Sequence, residues 1–418
     1  MPPSANPPRS LPGPRPRPGA AHHLLGRLAV LAALLLGVAV VAPPSGAAAA
    51  TDLVRVTDFG PNPGQLAMYV HRPAALPVAP PVVLALHGCT QNAQVYADHS
   101  GLAELADRHG FLLVLAEQSS ANNPNKCFNW FLPADSSRGQ GEAASLRQMA
   151  AHAVSAYGGD PGRVHVTGLS AGGAMTAVLL AAYPDAFAAG AVVAGLPYDC
   201  ARDTATAFTC MNPGIDRTPA DWARRVRDAY PSWTGPRPRV SVWHGDRDTT
   251  VVPRNADELR DQWTAVHGLP QTPARTSLIG PNSTRHEEYP AADGTVAVEV
   301  NRVPAIGHGT PVDPGTGPGQ CGSTGAPYFL ASICSSHWIV RFFGLAGPGQ
   351  DPGPSPAPAT CWTSSNYRHV QEGRATTSGG LTYARGSRQE MGLYNTFVTH
   401  TLKESPPGWF TLADTHCP

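Results

Sequence analysis

The stretch Gly168-Leu169-Ser170-Ala171-Gly172 is a G-x-S-x-G pentapeptide set between two runs of different character. Val164-His165-Val166-Thr167 before it reads as a strand, and Ala174-Met175-Thr176-Ala177-Val178-Leu179-Leu180 after it reads as a helix. Strand, tight turn and helix around this motif is the context of a nucleophile elbow. A side chain at either glycine would strike the neighbouring strand or helix. The strained turn pushes the Ser170 hydroxyl out at the top of a sheet. The Ala171 N–H then lies at a helix N-terminus, where developing negative charge is favoured.

The rest of the chain supplies the sheet. Pro81–Leu86 and Phe111–Leu115 are continuous apolar runs, as buried parallel strands should be. Val54–Val70 reads as one or two opening strands, and Ala189–Val193 and Arg239–Trp243 as further buried ones. Val296–Val303 alternates and is expected to be the last strand of the sheet. Helices are expected over Leu102–His109, Glu142–Tyr157 and Asp257–His267; the second carries Leu146, Met149, Ala150, Ala153, Val154 and Tyr157 on one apolar face. Strands alternating with helices indicate an α/β fold with a mostly parallel sheet.

Both ends of the chain differ from this body. Arg9, Arg15, Arg17 and Arg27 precede an apolar run from Leu28 to Val41, and Ala48-Ala49-Ala50 follows. That order reads as a signal peptide over residues 1–50, with the mature chain beginning near Ala50 or Thr51. Residues 51–346 are expected to form the main domain. Residues 347–360 are Pro/Gly-rich and read as a semi-rigid spacer. Residues 361–418 form a small module with a cysteine near each end, which suits a domain with little core. All eight cysteines follow the expected cleavage site, and their even number suggests disulfides in an oxidising compartment. Sequence does not fix the pairing. Proximity favours Cys200–Cys210 and Cys321–Cys334, leaving Cys89–Cys127 and Cys361–Cys417. The formal net charge is +0 and no basic stripe occurs, so no nucleic-acid partner is expected.

A serine hydroxyl is a weak nucleophile until a base takes its proton. After such an elbow the partners are expected in the order acid, then histidine. His244-Gly245-Asp246-Arg247-Asp248 follows the strand at Val240. Asp248 lies beyond the tight His-Gly turn and is the expected acid; Asp246 is expected to support the loop. Ile306-Gly307-His308-Gly309 follows the strand ending at Val303, and His308 is the expected base. His286, in a polar stretch, and His337, in an apolar helical pattern, are its rivals. His87-Gly88-Cys89 ends an early strand, and by position Cys89 supplies a second oxyanion donor beside Ala171. A structural disulfide is the plainer role for Cys89, and both roles can hold together.

Taken together, Leu86-His87-Gly88-Cys89-Thr90-Gln91, Cys127-Phe128-Asn129-Trp130-Phe131, the elbow, Trp243-His244-Gly245-Asp246-Arg247-Asp248 and Gly307-His308-Gly309-Thr310 resemble the secreted polyhydroxyalkanoate (polyhydroxybutyrate) depolymerases. The resemblance runs from about Thr51 to Leu345. It implies an α/β-hydrolase fold, the triad Ser170, Asp248 and His308, and the oxyanion donors Cys89 and Ala171. Phe128 stands where a tryptophan is common, a change expected to alter the substrate edge. The terminal segments Asn366–Ala375 and Met391–Thr396 look like C-terminal modules of secreted polymer-degrading enzymes. Trp362, Tyr367, Tyr383, Tyr394, Phe397, Trp409 and Phe410 are many aromatics for so small a module, and some are expected to face a polymer. The implied protein is a secreted, extracellular, cofactor-free and metal-free serine esterase, monomeric and free of the membrane after leader removal. Its expected partner is an insoluble polyester surface. Two other readings stand beside it: an esterase of plant polysaccharide, acting on feruloyl or acetyl groups, and a surface-binding protein with a vestigial hydrolase fold.

Overall fold

The apolar runs become strands and the segments between them mostly helices. The computed structural model describes residues 50–346, 360–404 and 410–414. The expected leader up to residue 49, residues 347–359 of the expected spacer, Trp409 and Cys417 lie outside the described residues. In chain order, β1 (Val54–Val56), β2 (Ala67–His71) and β3 (Val82–Leu86) lead into α1 (Ala93–Ser100) and α2 (Leu102–His109). Next come β4 (Leu112–Glu117), α3 (Pro133–Ser136), α4 (Gly141–Tyr157), β5 (Val164–Leu169) and α5 (Ala171–Ala182). β6 (Ala189–Val193), α6 (Thr204–Met211), α7 (Pro219–Asp228), β7 (Arg239–Gly245) and α8 (Arg254–Val266) follow. β8 (Arg275–Ile279), β9 (Thr284–Pro290) and β10 (Val296–Val303) run consecutively, before β11 (Thr310–Val312), β12 (Phe329–Ala331) and α9 (Ser335–Phe342).

β1 to β10 form one sheet in the order β1-β2-β4-β3-β5-β6-β7-β10-β9-β8. The central strands, from β4 across to β10, run parallel. β2 and β1 close one edge antiparallel, and β9 and β8 the other. This is an α/β-hydrolase fold. β3, β5 and β6 are buried at every residue because helices cover both faces. Alternate residues of one strand therefore enter different cores. Leu84 and Leu86 pack with Met149, Met175 and Trp263 on one side. Val83 and Ala85 pack with Leu105, Trp243 and Ile339 on the other.

Val296–Val303 is the last strand of this sheet in chain order, as expected, but it lies inside it. The polar segment before it folds into β8 and β9 and pairs outside it. Three disulfides join the pairs that the sequence suggested: Cys89–Cys127, Cys200–Cys210 and Cys321–Cys334. The suggested Cys361–Cys417 pair involves a cysteine outside the described residues.

The C-terminal segment contains β13 (Thr360–Ser365), α10 (Asn366–Gln371), β14 (Ala375–Ser378), β15 (Leu381–Ala384), β16 (Glu390–Leu393), β17 (Thr399–Glu404) and β18 (Phe410–Leu412). They make two small antiparallel sheets, β13-β17-β18 and β14-β15-β16. Ala375, Ala384, Met391, Leu402 and Phe410 form the core, with Trp362, Val370 and Leu412 against it. Leu393, Tyr367 and Phe397 point outward, Phe397 with 90% of its surface exposed. Among the described residues no helix is long and apolar enough to cross a membrane.

Candidate active site

β5, β6, β7 and β10 are parallel neighbours, so their carboxyl ends share one edge of the sheet. That edge is where open α/β sheets build their sites. Ser170 sits between β5 and α5 with φ 56° and ψ −116°, a conformation that L-residues rarely adopt. Its N–H donates to Val193 O at 2.9 Å, and Ala174 N donates to its carbonyl at 2.8 Å. Gly172 shows why the turn needs a small residue. A Cβ there would lie 2.3 Å from Leu86 O on β3.

The loop after β7 brings Asp248 to the same edge, and the loop after β10 brings His308. Gly245 lets the two loops cross, since a Cβ on it would lie 2.5 Å from the carbonyls of Ile306 and Gly307. His308 Nε2 is 2.8 Å from Ser170 Oγ, and Nδ1 is 2.7 Å from Asp248 Oδ2. Asp248 Oδ1 accepts from the Thr250 and Val251 N–H groups, each at 2.9 Å. The acid is 2% exposed, so its hydrogen bonds are shielded from water.

The rivals are occupied elsewhere. Asp246 Oδ1 accepts from Ala305 N at 2.7 Å and so ties the two loops together. His286 lies on β9, bonded to Asn301 Oδ1 at 2.8 Å. His337 is buried within α9.

Cys89 and Ala171 line the same cavity as Ser170 and His308. Ala171 opens α5, so its N–H has no acceptor within the helix. In the turn after β3, Gly88 N donates to Gln91 Oε1, Thr90 N to Asn125 O and Gln91 N to Gly88 O. Among the described residues no acceptor faces the Cys89 N–H. The disulfide to Cys127 ties this turn to the loop carrying Trp130 and Phe131.

Three groups around the site were not assigned from sequence. His87 is buried; its Nδ1 donates to Gly88 O at 2.7 Å and its Nε2 accepts from Gln118 N at 3.1 Å. Burial, opposed by the Gly88 hydrogen bond and aided by the Lys126 charge, lowers its pKa to about 4. His244 donates from Nε2 to Val251 O at 2.7 Å and lies 3.5 Å from Asp248 Oδ2; burial lowers its pKa as well. Glu142 is 1% exposed on α4. Burial pushes it up to about 8, against hydrogen bonds from Asn129 and Gln118 and with the aid of the nearby Asp135 carboxylate. Both histidines stood inside recognised motifs, which was a usable signal. Glu142 looked like an ordinary acid in the first turn of a helix, and nothing marked it as buried.

The cavity has a volume of about 360 Å³ and mostly apolar walls. Trp130, Phe131, Leu196, Ala207, Phe208 and Met211 form much of it. Phe128 is not among them. It is fully buried, with its ring 5.1 Å from that of His87, so the exchange expected to alter the substrate edge acts behind the wall instead.

A serine, a histidine and an aspartate in hydrogen-bonded order, beside an apolar cavity, are groups of the kind that acyl transfer uses. Residues 65–287 match the family model described as esterase PHB depolymerase, more than half of the chain. The chain belongs to the esterase PHB depolymerase family. Members related to it point to one chemistry on several substrates. It is 49% identical to poly(3-hydroxyalkanoate) depolymerase C of Paucimonas lemoignei, over 71% of this chain and 70% of that protein. It is 35% identical to an acetylxylan esterase of Coprinopsis cinerea, over 64% of this chain and 72% of that one. A feruloyl esterase B of Thermothelomyces thermophilus is 37% identical over 60% of this chain and 86% of its own length. Among solved structures, acetyl xylan esterase from Aspergillus awamori superimposes with a TM-score of 0.59 at 28% identity, covering 71% of this chain and all of that one. Like its family, this esterase is a carboxylic ester hydrolase. The matched segment contains Cys89, Ser170, Ala171 and Asp248, while His308 lies beyond it.

Proposed function

We propose that this family member is an extracellular serine esterase that hydrolyses the ester bonds of a short-chain poly(3-hydroxyalkanoate), with Ser170, His308 and Asp248 as its triad. The observation that carries this reading is the unbroken Ser170–His308–Asp248 hydrogen-bond chain on the wall of an apolar cavity. The 49% identity to a poly(3-hydroxyalkanoate) depolymerase supports the choice of substrate over the plant esters named for more distant relatives. Aliphatic walls such as Leu196, Ala207 and Met211 suit the short alkyl branch of a 3-hydroxyacyl unit.

In this mechanism His308 Nε2 takes the Ser170 proton as Oγ bonds to the ester carbonyl carbon. The carbonyl oxygen becomes an oxyanion between the Cys89 and Ala171 N–H groups. Asp248 fixes the imidazole tautomer and stabilises the imidazolium. The bond from the acyl carbon to the alcohol portion of the polymer then breaks, and that oxygen leaves with the proton from Nε2. Water gives a proton to His308 and adds to the acyl carbon, and Ser170 departs with that proton. Residues 1–50 are read as an export leader, residues 51–346 as the catalytic domain and residues 347–360 as its spacer. The module over residues 361–418 holds the polymer surface, raising the local concentration of substrate.

Replacement of Ser170 by Ala tests the site. Hydrolysis of a soluble p-nitrophenyl ester should fall by roughly 10⁴-fold or more. Undiminished turnover by Ser170→Ala would remove the mechanism.

A further inference from the structure

Glu142 does not line the cavity, and no step above uses it. Yet its carboxyl group is where the polar contacts behind the cavity wall converge. Oε1 accepts from Gln118 Nε2 and from Asn129 Nδ2, the latter at 2.8 Å. Oε2 accepts from Asn129 N at 2.8 Å. Three N–H donors thus meet two acceptor oxygens in a place that water does not reach.

From this point two routes lead to the turn that carries Cys89. The first runs through Gln118. Its backbone N–H donates to His87 Nε2, and His87 Nδ1 donates to Gly88 O, one residue before Cys89. The side-chain amide of Gln118 has no freedom left. Its Nε2 also donates to Cys127 O at 3.2 Å, and its Oε1 accepts from Ser119 N and Asn122 Nδ2, each at 2.9 Å. The second route runs through Asn129, whose Oδ1 accepts from Asn123 Nδ2 at 2.9 Å. Asn123 Oδ1 in turn accepts from the N–H groups of Asn125 and Cys127. Asn125 O accepts from Thr90 N at 2.7 Å, and Cys127 is bonded to Cys89 itself. The residues on both sides of the Cys89 N–H are therefore held by chains that start on one side chain.

We propose that Glu142 is a positioning residue for the oxyanion-binding turn: by fixing Gln118 and Asn129 together it sets where the Cys89 N–H stands relative to Ser170. The inference rests on the oxyanion role proposed above for Cys89. A carboxyl group suits the position because all three contacts it receives are from donors. Protonated or not, both carboxyl oxygens keep a lone pair with which to accept, whereas a glutamine there would set an NH2 group, which only donates, against one of them. The oxyanion exists only along the reaction path, so a misplaced donor lowers turnover and leaves substrate binding largely intact.

The test uses the full chain with Glu142→Gln and, independently, Gln118→Met, which cuts the first route and leaves the acid in place. Diethyl p-nitrophenyl phosphate phosphorylates the Ser170 hydroxyl of intact sites stoichiometrically, leaving a diethoxyphosphoryl serine, so the p-nitrophenol released counts them. Steady-state hydrolysis of p-nitrophenyl butyrate is then expressed per counted site. The expected result for each variant is kcat lowered at least tenfold per site with KM within twofold of wild type. A role in stability alone would lower the number of sites and leave kcat per site unchanged. Such a result, or a raised KM with unchanged kcat, overturns the proposal. Should Glu142→Gln yield no titratable sites, Gln118→Met decides alone. Failure of the site reading itself would appear differently, as undiminished turnover in Ser170→Ala.

Discussion

Ser170 holds a left-handed backbone angle, φ 56°, that only surrounding structure can enforce. The enforcement is visible in single contacts: the Val193 carbonyl under its N–H, and Gly172 pressed against β3. Asp248 shows the same economy, with one oxygen given to two backbone N–H groups and the other to His308. That division makes a specific prediction. Asp248→Asn keeps the shape but presents the imidazole with an amide that can donate, favouring the wrong tautomer. kcat on a soluble ester should fall by roughly 10³–10⁴-fold with little change in KM, as in other serine triads. A loss under tenfold would mean that the acid is dispensable. Ser170, Asp248, His308, Cys89 and Ala171 were all legible as candidates in sequence, because each follows a recognisable strand end. Glu142 was not, since burial by distant loops leaves no mark on its neighbours in the chain.

α4 carries this buried acid at its start, and the cost of burying it sets a pH dependence. Glu142 is raised to about 8, so the folded chain holds a proton there that the unfolded chain has released. Its contribution to stability is complete below the ordinary carboxylate range and is lost as pH rises through about 8. His87 acts in the opposite sense. Lowered to about 4, it contributes stability above the ordinary histidine value, and that is lost as pH falls toward about 4. Denaturant midpoints measured from pH 6.5 to 8.5 should therefore decline in wild type and flatten in Glu142→Gln. Parallel slopes would contradict the assignment. The helices and strands that these groups hold were mostly visible beforehand. α2 and β6 fall where the apolar pattern put them, and β10 where alternation did. β8 and β9 were missed for a physical reason: they form an antiparallel edge, and β8 exposes all but its last residue, so neither carries the apolar run of a central strand. α6 and α7 were also passed over, their short polar faces resembling loops.

In the proposed function, residues 51–346 and residues 361–418 divide the work, a soluble chemistry and a solid substrate. Outward Tyr367, Leu393 and Phe397 give the C-terminal module apolar surface that its small core does not use. Deleting the residues after Leu345 should leave hydrolysis of soluble short-chain esters within about twofold of wild type, while slowing granule breakdown by roughly tenfold or more, the order of avidity effects. Equal loss on both would count against a binding role for the module. The proline-rich residues 347–360 are the sequence's argument for that proposed division, but the substrate was not readable there, because one elbow and one triad serve esters of many kinds. The deciding measurement is incubation of the protein with poly(3-hydroxybutyrate) granules beside a feruloylated xylan, following soluble 3-hydroxy acids and ferulate together. The account predicts release of 3-hydroxy acids, abolished in Ser170→Ala, with little ferulate; ferulate release from xylan with the granules left intact would contradict it.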